Sequence, residues 1–312
     1  MKRRGTAHWR SGLAIVLVEL AGMALSFAAD APPPALAPTD KDVTFLAPNR
    51  PQKMDVYLPQ NNETMRPAGV VIHGGGWSGG KKIWGYQVEF AKRAVPAGYA
   101  VFCPEYQLNE FAEINGQKEC TKKGGPQNIL DCLDAISFVR LHAKDYRVDP
   151  NRICVAGDSA GGQLALLAGY GSDSEALGAG RLYPQVSARV RCIVDFYGVA
   201  DFETFPAWGG WTFLKSKDDP LEIKTALLRR YSPITYLTSQ SPPTLIVHGR
   251  NDPGVTYKQS EELAGKLKER GVPFELFTLE KATKHAFNFD SDEMDLTAIV
   301  LKFLAEHSKP GP

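Results

Sequence analysis

The stretch RICVAGDSAGGQLALLAG, residues 152–169, decides how this chain folds. Its first five residues form a mostly apolar run, as in a strand covered on both sheet faces, and the residues from Ala160 onward form a helical pattern. Between the two stands Gly157-Asp158-Ser159-Ala160-Gly161, a G-x-S-x-G sequence. A strand that turns sharply into a helix holds its middle residue in a strained backbone conformation, and glycines on either side relieve the crowding. Ser159 Oγ then stands free at the carboxyl end of a sheet with a helix N-terminus beneath it. G-x-S-x-G alone says little, because glycine and serine are common; the strand before it and the helix after it make it specific. The competing reading is a glycine-rich turn whose serine only caps the helix.

Outward from this turn, strands and helices alternate. Upstream, the pattern predicts short strands at 43–46 and 54–58, a strand at 68–73, a helix at 88–95, a strand at 99–104, a polar loop at 109–125 and a helix at 129–142. Ile129, Leu133, Ile136 and Val139 recur at helical spacing, which makes one apolar face for a sheet. Downstream come a strand at 190–196, an irregular aromatic segment, a strand at 244–248, a helix at 257–270, a strand at 274–279 and a last helix at about 293–307. This order describes one α/β domain: an antiparallel start, a mostly parallel central sheet with helices on both faces, and a small cap-like insertion at about 198–241.

The 312 residues are 43% hydrophobic and 23% charged with a formal net charge of +1, which is ordinary globular composition. Near-neutrality, without any block of five Lys or Arg, gives no electrostatic reason to expect nucleic acid or an anionic membrane surface as partner. Lys2, Arg3, Arg4 and Arg10 precede an apolar run ending in small residues, which reads as a signal peptide over residues 1–29. Glu19 inside that run dissents, and it leaves apolar stretches far short of the ~20 residues a membrane span needs. A Pro-rich linker at 30–41 then leads to the domain at 42–312, and export to the periplasm or the medium is the expected fate.

Of five cysteines, Cys103, Cys154 and Cys192 lie in apolar strand-like runs and read as core packing. Cys120 and Cys132 flank a Gly-Gly-Pro turn and are the pair most able to bridge in an oxidising compartment. No C-x-x-C and no H-E-x-x-H occurs, so no metal site is suggested, and no cofactor is required.

A serine hydroxyl needs a base to take its proton, and the base needs a carboxylate to orient it. His8 falls in the signal segment, while His142 and His307 read as surface residues. His73 and His248 each end an apolar strand before glycine, where ordering the next loop is the simpler role. That leaves His285, in the loop after the strand at 274–279, with Asp252 in the loop after the preceding strand. Ser159, Asp252, His285 is the chain order of α/β-hydrolases.

With HGGGW at 73, GDSAGG at 157, DFYG at 195, HGRNDPGV at 248 and HAF at 285, the chain resembles α/β-hydrolase esterases of the hormone-sensitive-lipase-like kind. It is most similar to secreted bacterial carbohydrate esterases that remove acetyl or feruloyl groups, over roughly residues 54–304. Two departures are Tyr106-Gln107, where relatives often carry Tyr-Arg, and the long segment 109–125. The resemblance implies an oxyanion hole made by the backbone N–H groups of Gly75, Gly76 and Ala160. The same glycine loop also fits most of a phosphate-binding G-x-x-x-x-G-K-[ST] pattern, but Lys82 stands where Ser or Thr is needed. Gly79-Gly80-Lys81-Lys82 then reads as a mobile, solvated exit from the loop. Asp158 reads as a structural acceptor for loop amides, and Glu105 and Asp201 as solvated loop charges.

Trp77, Trp208 and Trp211 are candidates for substrate binding, the last two in an aromatic insertion whose plainer role is a small cap. The expected function is a serine esterase working through an acyl-enzyme on short-chain, acetyl or feruloyl esters of small-molecule or polysaccharide-linked substrates. The alternatives are an amide-directed hydrolase, of formamidase or peptidase type, and a non-catalytic α/β-hydrolase binding module.

Overall fold

The computed structural model describes residues 36–309 except 61–64, 206–219, 288 and 290. The expected signal segment, the first half of the linker, and Trp208 and Trp211 lie outside the described residues. Eight strands form the main sheet in the order β1 (Asp40–Val43), β2 (Met54–Tyr57), β4 (Ala100–Pro104), β3 (Arg66–Ile72), β7 (Val148–Asp158), β8 (Ile193–Phe196), β9 (Thr244–Gly249), β10 (Phe274–Leu279). The β1–β2 and β2–β4 pairs are antiparallel, and every pair from β4 onward is parallel.

Period-two alternation splits the strand side chains between two cores. Val70, Ile72, Ile153 and Val155 join one buried cluster, whereas Val71, Cys154 and Ala156 join the other. The first is covered by α2 (Gln127–Leu141), α3 (Ala160–Gly171) and α6 (Lys258–Arg270) through Leu133, Ile136, Leu164 and Leu267. The second is covered by α1 (Gly85–Ala94) and α7 (Leu296–His307) through Phe90, Val300 and Phe303. Each such buried side chain contributes about 1.5–3 kcal/mol of transfer free energy. With both faces covered, the functional groups are left to the loops at the carboxyl ends of the parallel strands.

Three expectations are corrected. The first strand lies at Asp40–Val43 rather than 43–46, because Asp40 and Val43 pair with Val56 and Met54, while Phe45 and Leu46 turn into the core. The polar loop at 109–125 contains a hairpin, β5 (Glu110–Ile114) with β6 (Gln117–Lys122). Its turn is Asn115-Gly116 with φ of 53° and 75°, the left-handed pair that a two-residue type I′ turn requires. Cys132 keeps a free thiol in the fully buried face of α2, so the Cys120–Cys132 bridge is not made. Cys103, Cys154 and Cys192 are buried, as packing requires.

A short helix α4 (Glu175–Gly178) precedes β8, and the insertion after β8 contains α5 (Leu221–Tyr231) followed by a 3-10 turn at Pro233–Tyr236. Among the described residues no helix is long and apolar enough to cross a membrane.

Candidate active site

Strand β7 delivers Ser159 at its carboxyl end, and Ser159 takes φ 52° and ψ −118° before α3 begins at Ala160. A Cβ on Gly157 would sit 2.2 Å from the carbonyl oxygen of Gly161, and one on Gly161 would sit 2.2 Å from that of Ile72. The turn closes only because neither exists. Phe196 at the end of β8 accepts the Ser159 amide at 2.9 Å, which fixes the strained residue against its neighbour strand.

Asp252 stands in the loop after β9 and His285 in the loop after β10, so the carboxyl ends of β7, β9 and β10 bring the three residues together, with β8 between β7 and β9. His285 Nε2 lies 2.7 Å from Ser159 Oγ, and His285 Nδ1 lies 2.8 Å from Asp252 Oδ2 and 3.0 Å from Oδ1. Burial alone would raise the Asp252 carboxyl, but hydrogen bonds from His248, His285 and the Val255 amide outweigh it and hold the group well below the usual carboxylate range. Asp252 is therefore an anion beside the imidazole. Tyr197, with φ 45°, sets its ring edge-on to His285 at 4.8 Å, and Gly254 leaves no room for a Cβ against the same imidazole.

The loop at 73–80 sits over this centre with φ of 114° at Gly75, 58° at Gly76 and 57° at Trp77. Among the described residues, the amides of Gly75, Gly76 and Ala160 donate to no protein acceptor. Three N–H groups without a protein acceptor beside Ser159 are an arrangement that could hold a developing oxyanion. Asp158 is the acceptor expected of it: its Oδ1 takes the Gly74 amide at 2.9 Å and Gln87 Nε2 at 3.1 Å. Burial pushes the Asp158 carboxyl up to about 6, partly offset by those two hydrogen bonds.

His73 and His248 fill the ordering roles expected of them. His73 is buried, meets the Gly74 carbonyl through Nδ1 at 2.8 Å and stacks on Tyr106 at 4.3 Å, and burial drives its imidazole down to about 4. Tyr106 also donates its hydroxyl to the His73 carbonyl at 2.9 Å. His248 bridges Ser260 Oγ at 2.7 Å and the Val255 carbonyl at 2.9 Å, closing the loop that carries Asp252.

Several charge assignments change. Lys82 is buried and meets Asp42 at 2.5 Å, Asp55 at 3.7 Å and Glu105 at 3.8 Å, so it anchors the glycine loop's exit instead of lying in solvent. Glu105 also accepts the Lys53 amide at 3.1 Å. Asp201 is 8% exposed and takes the Ser232 hydroxyl at 3.1 Å and the Glu203 amide at 2.8 Å. Trp77 is 4% exposed and spends its indole N–H on Gln163, so it offers a ligand little surface and braces the loop.

Sequence reasoning missed Gln163, Tyr106, Ser260 and Lys82, each of which acts through a partner remote in the chain. The hairpin β5–β6 did carry a readable signal, the Asn115-Gly116 pair. Glu275, Glu306 and His307 bring one donor atom each within 4.8 Å of one another, a grouping no spacing motif reveals. They lie at the amino end of β10 and the carboxyl end of α7, so they are not part of the Ser159 centre.

A family profile described as BD-FAE matches residues 54–267. The probable carboxylic ester hydrolase LipM of Mycobacterium tuberculosis is 26% identical over 298 residues, covering 88% of this chain and 64% of its own. Esterase LipQ of the same organism is 28% identical over 259 residues, covering 79% and 57%. The chain thus spans between half and two thirds of the length of these curated relatives.

Among solved structures, an acetyl ester-xyloside bifunctional hydrolase from Caldicellulosiruptor lactoaceticus superposes with a TM-score of 0.68 at 26% identity, over 89% of this chain and 98% of that one. A truncated carbohydrate esterase from gut microbiota superposes with a TM-score of 0.71 at 22% identity, over 86% and 95%. The fold is that of the α/β-hydrolase esterases, and the chain belongs to the BD-FAE family.

Proposed function

We propose that this protein is a carboxylic ester hydrolase that works through a Ser159 acyl-enzyme. The observation that carries the reading is the unbroken relay from Ser159 Oγ to His285 Nε2 at 2.7 Å and from His285 Nδ1 to Asp252 at 2.8 Å. His285 takes the hydroxyl proton as Ser159 attacks the ester carbonyl, and the ionised Asp252 stabilises the imidazolium that results. Gly75, Gly76 and Ala160 direct their N–H groups at the oxyanion, and the imidazolium returns its proton to the leaving alcohol. Water, deprotonated by the same imidazole, then releases the acid.

The names of LipM, LipQ and the isoprenylcysteine α-carbonyl methylesterases of Oryza sativa and Arabidopsis thaliana support ester over amide substrates. The likeness to the acetyl ester-xyloside hydrolase supports a short acyl group on a carbohydrate as the substrate class. Export belongs to the same proposal, on the basic and then apolar character of residues 1–29, and N-terminal sequencing of the protein from culture fractions tests it.

The deciding experiment is labelling with a fluorophosphonate probe, followed by a panel of p-nitrophenyl acetate, longer p-nitrophenyl esters, acetylated xylan and feruloyl esters. Ser159 is expected to carry the label, and Ser159→Ala to lose both label and turnover. Folded protein that takes no label removes the serine mechanism, and turnover of formyl-amides or dipeptides without turnover of esters moves the reading to an amidase.

A further inference from the structure

Two of the three N–H groups assigned to the oxyanion belong to Gly75 and Gly76, which have no side chains to hold themselves in place. Their orientation comes from the residues on either side. On one side, the Gly74 amide donates to Asp158 Oδ1 at 2.9 Å. On the other, the Trp77 indole N–H donates to Gln163 Oε1 at 2.9 Å. Asp158 immediately precedes Ser159, and Gln163 follows it by four residues, one turn into α3. The glycine pair is thus clamped at both ends to the segment that carries the nucleophile.

Gln163 does more than accept. It is 2% exposed, and its Nε2 donates to the carbonyl oxygen of Tyr231, the last residue of α5 in the insertion. An indole nitrogen only donates and a backbone carbonyl only accepts, so the orientation of the carboxamide between them is forced. Trp77 needs such a clamp, because it holds φ 57°, a left-handed conformation costly for a bulky L-residue, while its ring is buried against Phe202 at 5.5 Å. Its carbonyl is also occupied, accepting the Asn109 amide at 2.8 Å.

We infer that Gln163 is a positioning residue for ester hydrolysis: by holding the Trp77 indole it sets the distance of the Gly75 and Gly76 amides from Ser159, and by holding Tyr231 it ties that setting to the end of α5. The inference rests on the serine-esterase reading of the same site. Gln163 touches no reacting atom, so its removal leaves the nucleophile and base in place and loosens the oxyanion donors. Those donors act on the transition state more than on the ground state, so the loss falls on kcat.

The test uses the full chain with p-nitrophenyl acetate in a double-mutant cycle of Gln163→Met, which keeps the length but neither hydrogen bond, and Trp77→Phe, which removes the indole donor. Each single variant is expected to lose about 10- to 100-fold in kcat, the scale of a small displacement at a reacting centre. KM is expected to stay within about twofold. The double variant is expected to be no slower than the slower single one, because one shared contact is lost in all three. Losses that multiply in the double variant overturn the inference, as does a folded Gln163→Met enzyme with unchanged kcat or with only KM raised.

If Trp77→Phe does not fold, the split between kcat and KM in Gln163→Met decides alone. Wild-type protein that turns over ester and labels at Ser159, beside an unaffected Gln163→Met, removes only the positioning role. Wild-type protein that does neither removes the esterase reading and the inference with it.

Discussion

His248 Nε2 lies 3.5 Å from Asp252 Oδ2, the oxygen that also meets His285 Nδ1 at 2.8 Å. Two imidazoles therefore face one buried carboxylate, and of the two only His285 reaches Ser159 Oγ. His248 meets the Val255 carbonyl through Nε2 at 2.9 Å and the Ser260 hydroxyl through Nδ1 at 2.7 Å, which closes the loop.

His248→Phe conserves the ring and removes both bonds. The unpaired Ser260 hydroxyl and Val255 carbonyl are expected to cost about 1–3 kcal/mol of stability. The loosened loop is expected to lower kcat by about 10-fold through misplacement of Asp252. Urea unfolding and steady-state kinetics read the two effects, and a variant of native stability and full kcat would show that the loop holds itself.

Asp252→Asn separates charge from shape. Its remaining oxygen can still accept the Gly254 and Val255 amides that Asp252 Oδ1 accepts at 2.7 and 3.0 Å. The new amide cannot stabilise an imidazolium and favours the wrong tautomer of His285, so kcat is expected to fall about 10⁴-fold with a nearly native melting temperature. A loss of less than about 10-fold would mean that Asp252 does not orient the base.

Gly161→Ala probes the turn itself. The added Cβ would meet the Ile72 and His73 carbonyl oxygens at 2.2 and 2.5 Å, both in backbone that cannot swing aside. Thermal or urea unfolding is expected to show a destabilisation of about 1–3 kcal/mol, and kcat is expected to drop because Ser159 and the glycine loop are pushed apart. Unchanged stability would show that the two segments separate freely.

Asp195 gives a pH dependence with a definite sign. Burial pushes its carboxyl up to about 7, with the Gly198 amide as the offsetting hydrogen bond. A carboxyl whose folded value lies above its unfolded value of 3.8 contributes stability that is full below about pH 4 and lost as the pH rises through about 7. Asp158, raised to about 6, acts in the same direction. Asp195→Asn cannot ionise, so its melting temperature relative to the wild type is expected to climb from pH 5 to pH 8, by an amount corresponding to at most about 3 kcal/mol. Parallel melting curves across that range would place the Asp195 carboxyl in water.

The meeting of Ser159, Asp252 and His285 was legible because their placement follows from chain-local chemistry. Gly157 and Gly161 mark a turn too tight for side chains, and the apolar runs at 244–248 and 274–279 place Asp252 and His285 on strand ends that parallel pairing must bring together. The hairpin at Asn115-Gly116 was not read, although the Asn-Gly pair signals its turn, because its strands alternate weakly and its flanking charges suggested a loop. Lys82 and Asp201 went the other way, since a charged residue in a glycine-rich or turn-like segment gives no hint of the partners that bury it.

By itself, then, the sequence determined most of the order of strands and helices, the strained serine and the choice of Asp252 and His285 as its neighbours, because periodicity, glycine sterics and chain order are local properties. Tertiary structure alone decided which polar groups find one another: Gln163 with Trp77 and Tyr231, His248 with Ser260, and Lys82 with Asp42 and Glu105. Each contact joins segments that only folding places within about 3–4 Å, the range over which a hydrogen bond or ion pair acts, and nothing in their local sequence encodes the partner.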